Sequence, residues 1–443
     1  ITAVEVNPQT VAMTQDYSRY NGAVYADARV RVLIDEGRSV LRREDRRYDL
    51  IYLSQVVTLS AERTGYALTE NSVFTREAFA DYMAHLSDSG YIGLKLYDEP
   101  TLARALGLSL DALRGAGIAA DDAEALQHMI VLLDPDQTPP LPLLLLRKTP
   151  FEAGEVAAIG RAAQRVGFAP LYLPEALADA PLDAVASGER TYADVIAAAE
   201  IDLSLPTDDR PFFYQFEPSI PTDLQPVLAA LAVCVLFGAA FVALYGRRRV
   251  RLVSAGAYGA YVLYFAALGV GFMLVEIAFI QQTRLFIGHP TLAVTGVLVV
   301  LLVSGGIGSY TYARLYPTAQ RLAWWPCIGV VLALVLWLLL WPTLSALFLG
   351  AVWPVRLLLV LLLIAVPGFL MGIPFALGLR AAGLRDERLI PLAWLVNGVM
   401  TVVGSVLAVT VALLSGYSAV LLSGLCLYAV AAAAAWLSSR NIS

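Results

Sequence analysis

The sequence predicts an α/β domain built on a doubly wound parallel sheet, followed by an all-α polytopic membrane domain. Three observations carry this expectation. Strand-like runs alternate with helix-like ones through residues 1–206, the signature of parallel strands joined by crossover helices. Apolar runs of roughly the 20 residues needed to cross a bilayer then follow one another to the end. The charge also divides where the texture changes. The part after Asp223 holds 12 Arg, no Lys and three acids (Glu276, Asp386 and Glu387), a balance of +9 within a chain of net −6, which leaves −15 for the part before. At 58% hydrophobic and 15% charged, the whole chain falls outside the composition of a single water-soluble globule. The acidic half argues against a nucleic-acid partner.

In chain order, residues 1–6 alternate like a strand and end at Asn7-Pro8, where proline at the first helical position opens a helix reaching about Tyr20. Ala28–Ile34 reads as the second strand, followed by the acidic turn Asp35-Glu36-Gly37-Arg38 and a short helix. Tyr48–Leu53 is the third strand. Phe74–Ser87 has helical apolar spacing behind a Thr75 cap, and Tyr91–Tyr97 follows the Ser89-Gly90 turn as the fourth strand. Met129–Leu133 and Leu141–Leu146 extend the sheet, with a helix near Glu152–Val166. The domain expectation is therefore 1–206 for the sheet domain, 207–223 for a junction and 224–443 for the membrane helices. In the junction, Asp208, Asp209 and Arg210 suit a latch folded back on the sheet domain, and the aromatics after them suit a membrane interface. The chain has no initiating Met and opens in mid-strand, so a missing first strand and an incomplete N-terminus are expected.

Ligands of such sheets bind outside the carboxyl ends of the strands. Glu5 closes the first strand, where a carboxylate can accept both ribose hydroxyls of a nucleoside. Asp35 and Glu36 close the next, within reach of an adenine amine. Solvated turn acids are the alternative reading. The runs VEVNP, RVRVLIDEGRSVLRREDRRYDLIYLS and ENSVFTREAFADYMAHLSDSGYI resemble the spermidine synthase-like division of the S-adenosylmethionine-dependent transferases, over about residues 1–100. The resemblance implies a Rossmann-like fold and S-adenosylmethionine or its decarboxylated form as cofactor. It places Glu5 on the ribose, Glu36 on the adenine with Asp35 beside it, and Ser54 at the cofactor edge. A glycine-rich phosphate-side loop is expected before residue 1.

One departure from that family bears on chemistry. An attacking amine must lose a proton to a base, which soluble members supply from an Asp-Ser-Ser-Asp run. Here the strand continues as Ser54-Gln55-Val56-Val57, without a carboxylate. Glu70 is the nearest replacement, with Tyr66 and Gln55 able to add hydrogen bonds; an ordinary polar turn is the other reading of Thr69-Glu70-Asn71. The acceptor expected is a small cationic amine or a lipid-proximal group, drawn by the −15 half. A transporter or membrane scaffold carrying a non-catalytic, transferase-like sensor is the rival expectation. His85 and His128 read as structural, and no metal site is expected. Cys234, Cys327 and Cys426 lie far apart in apolar runs, which suggests neither a disulfide framework nor a metal cluster.

In the membrane half, spans are expected near 226–246, 252–281, 291–313, 324–342, 355–379, 391–414 and 417–437. Gly269, Gly271, Gly305-Gly306, Gly308-Ser309 and Gly404-Ser405 allow close helix approach. The stretches GFMLVEIAFIQQ, GIPFALGLR and AWLVNGVMTVVGS resemble the membrane region that accompanies spermidine synthase-like domains in bacterial membrane proteins, which implies a multi-pass protein of the bacterial inner membrane. Glu276 stands alone in its span, and an intramembrane carboxyl is a functional candidate by default. Asn397, Gln281 and Gln282 are its possible hydrogen-bond partners, with a structural glue role as the alternative. Ten arginines, from RRRVR at 247–251, Arg314, Arg321, Arg380, Arg385, Arg388 and Arg440, fall on one side of the spans, against Arg284 and Arg356 on the other. The positive-inside rule makes the Arg-rich side cytoplasmic and the acidic half external, in tension with a cytosolic nucleoside cofactor.

Overall fold

A computed structural model describes residues 1–54, 69–249, 255–316 and 322–440 of the chain. They form two units, residues 1–39 with 224–443, and residues 40–223. Gln55, Val56, Val57, Tyr66, Arg251 and Arg321 lie outside the described residues.

In the first unit, β1 (Thr2–Glu5) and β2 (Arg31–Ile34) form a two-stranded parallel sheet in which Glu5 pairs with Ile34. Helix α1 (Pro8–Asp16) begins at the expected proline, and Asn7 Oδ1 accepts the Gln9 N–H at 2.9 Å. The helical run breaks at Tyr17, and a short second helix, α2 (Ser18–Asn21), completes the connection. Helix α3 spans Gly37–Arg43, and the Ser39 hydroxyl donates to the Leu285 carbonyl at 2.8 Å.

In the second unit, β3 (Tyr48–Ser54), β4 (Leu86–Lys95), β5 (Met129–Asp134), β6 (Leu141–Arg147), β7 (Ala169–Leu173) and β8 (Leu177–Ala178) form a sheet of order β3-β4-β6-β5-β7-β8. Only β3–β4 is parallel; the remaining pairings are antiparallel. The all-parallel expectation is corrected here. A run such as LPLLLLR is buried on both sides and reads the same in either direction, so its sense comes from the connection. The six-residue β5–β6 link (135–140) is too short for a parallel crossover, which needs about a dozen residues.

Alternation along β5 sends Met129 and Val131 to one core, and Ile130 and Leu132 to the other. The first core gathers Phe79 and Tyr82 of α4 (Arg76–His85), Leu106, Leu110 and Leu113 of α5 (Glu99–Gly115), and Phe213. The second lies under α7 (Ala153–Arg165), with Val156 and Ala163, after the short α6 (Asp122–Leu126). Thr75 caps α4, its Oγ1 accepting the Ala78 N–H at 3.1 Å, and Asp98 with Thr101 forms a capping box on α5. Short helices α8 (Leu182–Ala186) and α9 (Tyr192–Ala197) complete the unit.

Among the described residues, seven helices are long and apolar enough to cross a membrane. They are α10 (Gln225–Arg249), α11 (Ala255–Ile287), α12 (Pro290–Leu315), α13 (Trp325–Leu347), α14 (Trp353–Arg385), α15 (Leu389–Ser415) and α16 (Tyr417–Arg440). Residues 343–347 extend the fourth of these. Glycines set the closest approaches. A Cβ on Gly372 of α14 would collide with the Gly305 carbonyl of α12, and one on Gly404 of α15 would stand 2.9 Å from Val270 Cα of α11. Without a hydrophobic drive between helices in lipid, such backbone contact is a main source of association.

Candidate functional site

At the carboxyl end of the β1–β2 pair, the parallel register brings three acids together. The Asp35 N–H donates to the Glu5 carbonyl at 3.1 Å, so Asp35 extends the ladder beside Glu5. The Glu5 side chain turns back on its own loop, where Oε1 accepts the Asn7 N–H at 2.8 Å. Its other oxygen takes no hydrogen bond from the described residues, which leaves it free to accept from a ligand hydroxyl. Glu36 is engaged differently. Its two oxygens accept the Arg38 and Ser39 N–H groups at 3.1 and 2.6 Å, satisfying orphan donors at the start of α3. Asp35 Oδ1 accepts the Glu36 N–H at 2.8 Å. Glu5 therefore keeps one oxygen open among the described residues, while both oxygens of Glu36 accept backbone N–H groups at the start of α3.

In the second unit, the parallel β3–β4 register sets Ser54 beside Lys95 at the carboxyl ends of the two strands. Ser54 is exposed and Lys95 half-buried. Lys95 is one of only two lysines in a chain otherwise rich in arginine, and that rarity was the signal by which sequence reasoning could have found it. Tyr97 follows, with its ring 6.1 Å from Tyr214 and nearly perpendicular to it.

Glu70 lies on the stretch 69–71 that receives the junction. The Asn71 N–H donates to the Pro211 carbonyl at 2.7 Å, the Thr75 hydroxyl to Asp208 Oδ1 at 2.7 Å and the Arg76 N–H to the Pro206 carbonyl at 2.9 Å. The Asp208 N–H in turn donates to Glu77 at 2.9 Å, and the rings of Phe74 and Phe213 stack at 4.4 Å. The segment around Asp208 thus folds back onto the α4 entrance.

Arg104, which the sequence did not flag, fastens the same segment. From the buried face of α5 its guanidinium donates to the carbonyls of Asp202, Phe213 and Gln215, and it lies 4.4 Å from the centre of the Phe216 ring. Burial pulls the guanidinium down to about 10, opposed by the nearby Asp202 carboxylate. Burial also pushes Asp202 upward, but hydrogen bonds from Ser204 and the charges of Arg104 and Arg210 bring it below the usual carboxylate range.

In the helical region, the Asn397 amide donates to the Phe265 carbonyl at 3.2 Å, and Gln282 accepts the Trp337 indole N–H at 2.9 Å. Glu276 is half-buried, and no described side chain engages it. Cys327 is buried, while Cys234 and Cys426 lie on the helix exterior. Among the described residues, no group of three or more His, Cys, Asp or Glu is arranged to hold a metal. Neither protein-family models nor curated proteins give a match to the chain.

Proposed function

We propose that the chain is a multi-pass protein of the bacterial inner membrane carrying a Rossmann-like, spermidine synthase-like transferase domain. It would take S-adenosylmethionine or its decarboxylated form and act on a small cationic amine or a lipid-proximal acceptor. The observation that carries the reading is Glu5 at the carboxyl end of a parallel strand pair, one oxygen anchored by Asn7 and the other open, with Asp35 on the adjoining strand. That is the geometry by which a carboxylate accepts a ribose diol while a neighbouring acid meets the base. By the resemblance, Ser54 is a candidate for the cofactor edge, and Glu70 and Tyr66 are the acid–base candidates for the acceptor. The −15 half favours a cationic acceptor.

Two observations favour a second reading, a non-catalytic sensor attached to a transporter or scaffold. The position beside Ser54 holds Lys95 rather than a carboxylate. The Ser39 hydroxyl donates to the Leu285 carbonyl at the end of α11 where Arg356 donates to Phe286, the side that the positive-inside rule reads as external. Calorimetric titration of the full chain with each cofactor form tests the first reading: saturable binding, weakened by Glu5→Ala, supports it, and no binding of either form sinks it and leaves the second. Turnover of labelled cofactor in the presence of amines, lost in Glu70→Ala, separates enzyme from sensor.

A further inference from the structure

We propose that Ser54, Lys95 and the ring of Tyr52 form a binding site for a small ligand that joins a carboxylate or phosphate to a planar ring. The register of the parallel β3–β4 pair makes the juxtaposition. Tyr52 stands opposite Gly93, and Ser54 opposite Lys95, and residues directly opposite on neighbouring strands project to the same side of a sheet. Ile92, Leu94 and Leu96 are buried in the first core. Alternation therefore sends Gly93 and Lys95 to the other face, the one on which Tyr91, Leu143 and Leu145 pack against the second core. Gly93 has no side chain, and the Tyr52 ring takes the space above it: a Cβ there would stand 3.0 Å from Tyr52 Cδ2. The ring thus lies against the sheet rather than standing away from it.

Water reaches this part of the face. Helix α7 packs on β5 and β7, where Val156 and Ala163 meet Ile130, Leu132 and Leu173. At the β3 edge, Leu50 and Tyr52 are 58% and 54% exposed, Ser54 is exposed and Lys95 half-buried. An exposed ring lying on the sheet is a stacking surface. Two residues further along the strands, about 6.6 Å away, an ammonium and a hydroxyl stand side by side. Lysine brings a positive charge and N–H donors, and serine brings an O–H; an oxyanion is what such a donor pair suits, and its charge-assisted bonds are about twice as strong as neutral ones. The separation is about the span of one substituted ring. Two acids that could compete for Lys95 are otherwise engaged: Asp98 accepts the Thr101 N–H, and Asp134, at the end of β5, accepts the Asp136 N–H. Arg147, on the same face, is paired with Glu155. The −15 balance of this half opposes an anion at long range, but that field is screened beyond about 8 Å at physiological salt, so the local donors decide.

The chain has two lysines, and the other, Lys148, donates to the Leu86 carbonyl at 2.6 Å, so ammonium reactivity is a readout with a control in the same molecule. The test is reductive methylation of the full chain in detergent by formaldehyde and cyanoborohydride, followed by mass spectrometry of the two lysine peptides. Benzoate in one arm and phenyl phosphate in another are expected to slow methylation of Lys95 about tenfold at nine-tenths occupancy, and to leave Lys148 unchanged. Protection by benzoate alone identifies a carboxylate ligand, by phenyl phosphate alone a phosphate, and by both a site that reads the shared oxyanion. Ser54→Ala should raise the concentration for half-protection about fivefold, the worth of one hydrogen bond. Tyr52→Leu should remove the advantage of benzoate over acetate. Both variants are checked for an unchanged unfolding midpoint, and the arms on the native chain decide if either fails to fold. The probes carry no nucleoside, so the outcome is separate from that of the Glu5 titration. A Lys95 left unmodified without probe, equal slowing by sodium chloride at matched ionic strength, or protection unchanged in both variants overturns the proposal.

Discussion

Replacing Arg104 by Met leaves the carbonyls of Asp202, Phe213 and Gln215 without their donor in a buried site. Removing one partner of such an arrangement costs about 3–5 kcal/mol, so Arg104→Met should lower the unfolding midpoint of the chain and open residues 202–216 to limited proteolysis. His128 makes a second prediction at this scale. It is buried, and burial pulls its pKa below 6.5, with no hydrogen bond at Nδ1 from the described residues. The unfolded chain therefore binds the proton more readily than the folded one. The stability tied to neutral His128 is complete above the unfolded value and falls as pH drops from about 6.5 toward the folded one. Thermal unfolding followed from pH 7 to 5 should show this decline, and His128→Gln should flatten it. Glu5 and Asp35 were legible as strand-end acids because their strands alternate cleanly. The backbone hydrogen bonds that Glu36 accepts at the start of α3 were not, since a capping carboxylate and a ligand carboxylate occupy the same turn in sequence.

The helix starts at Asn7-Pro8 and Thr75 were written plainly in the chain, because such residues act on the local backbone, whereas the Asp98 start of α5 was not read. The seven apolar helices were equally readable, since spanning length and hydropathy are local properties. Strand direction was less so: β5, β6 and β7 carry uniformly apolar runs whose antiparallel order depends on how their connections return. The glycine seam was visible as composition, but its partner was not. Gly305 meets Gly372 across 67 residues, while the adjacent Gly306 has open space where a Cβ would stand. The contrast gives a prediction for the element: Gly372→Val forces the α12 and α14 backbones apart and should cost about 1–3 kcal/mol or more, read as a lower unfolding midpoint in detergent. Gly306→Val should leave that midpoint nearly unchanged.

At the scale of the molecule, the charge division follows the chain: the acidic part before Asp223 includes the mixed-sheet unit and the β1–β2 pair, and the helical region after it is almost free of acids. Glu276 is the one acid inside those apolar spans. The central claim is that Glu5 binds the ribose of an S-adenosyl ligand, and calorimetric titration of the full chain in detergent tests it most directly. S-adenosylmethionine or its decarboxylated form should bind saturably to the native chain. Glu5→Ala should weaken binding by about tenfold or more, the worth of one charge-assisted hydrogen bond, and an analogue lacking the 2′-hydroxyl should bind the native chain less tightly but lose little further in the variant. No heat of binding with either cofactor form, or equal affinity in the native chain and Glu5→Ala, would contradict the account.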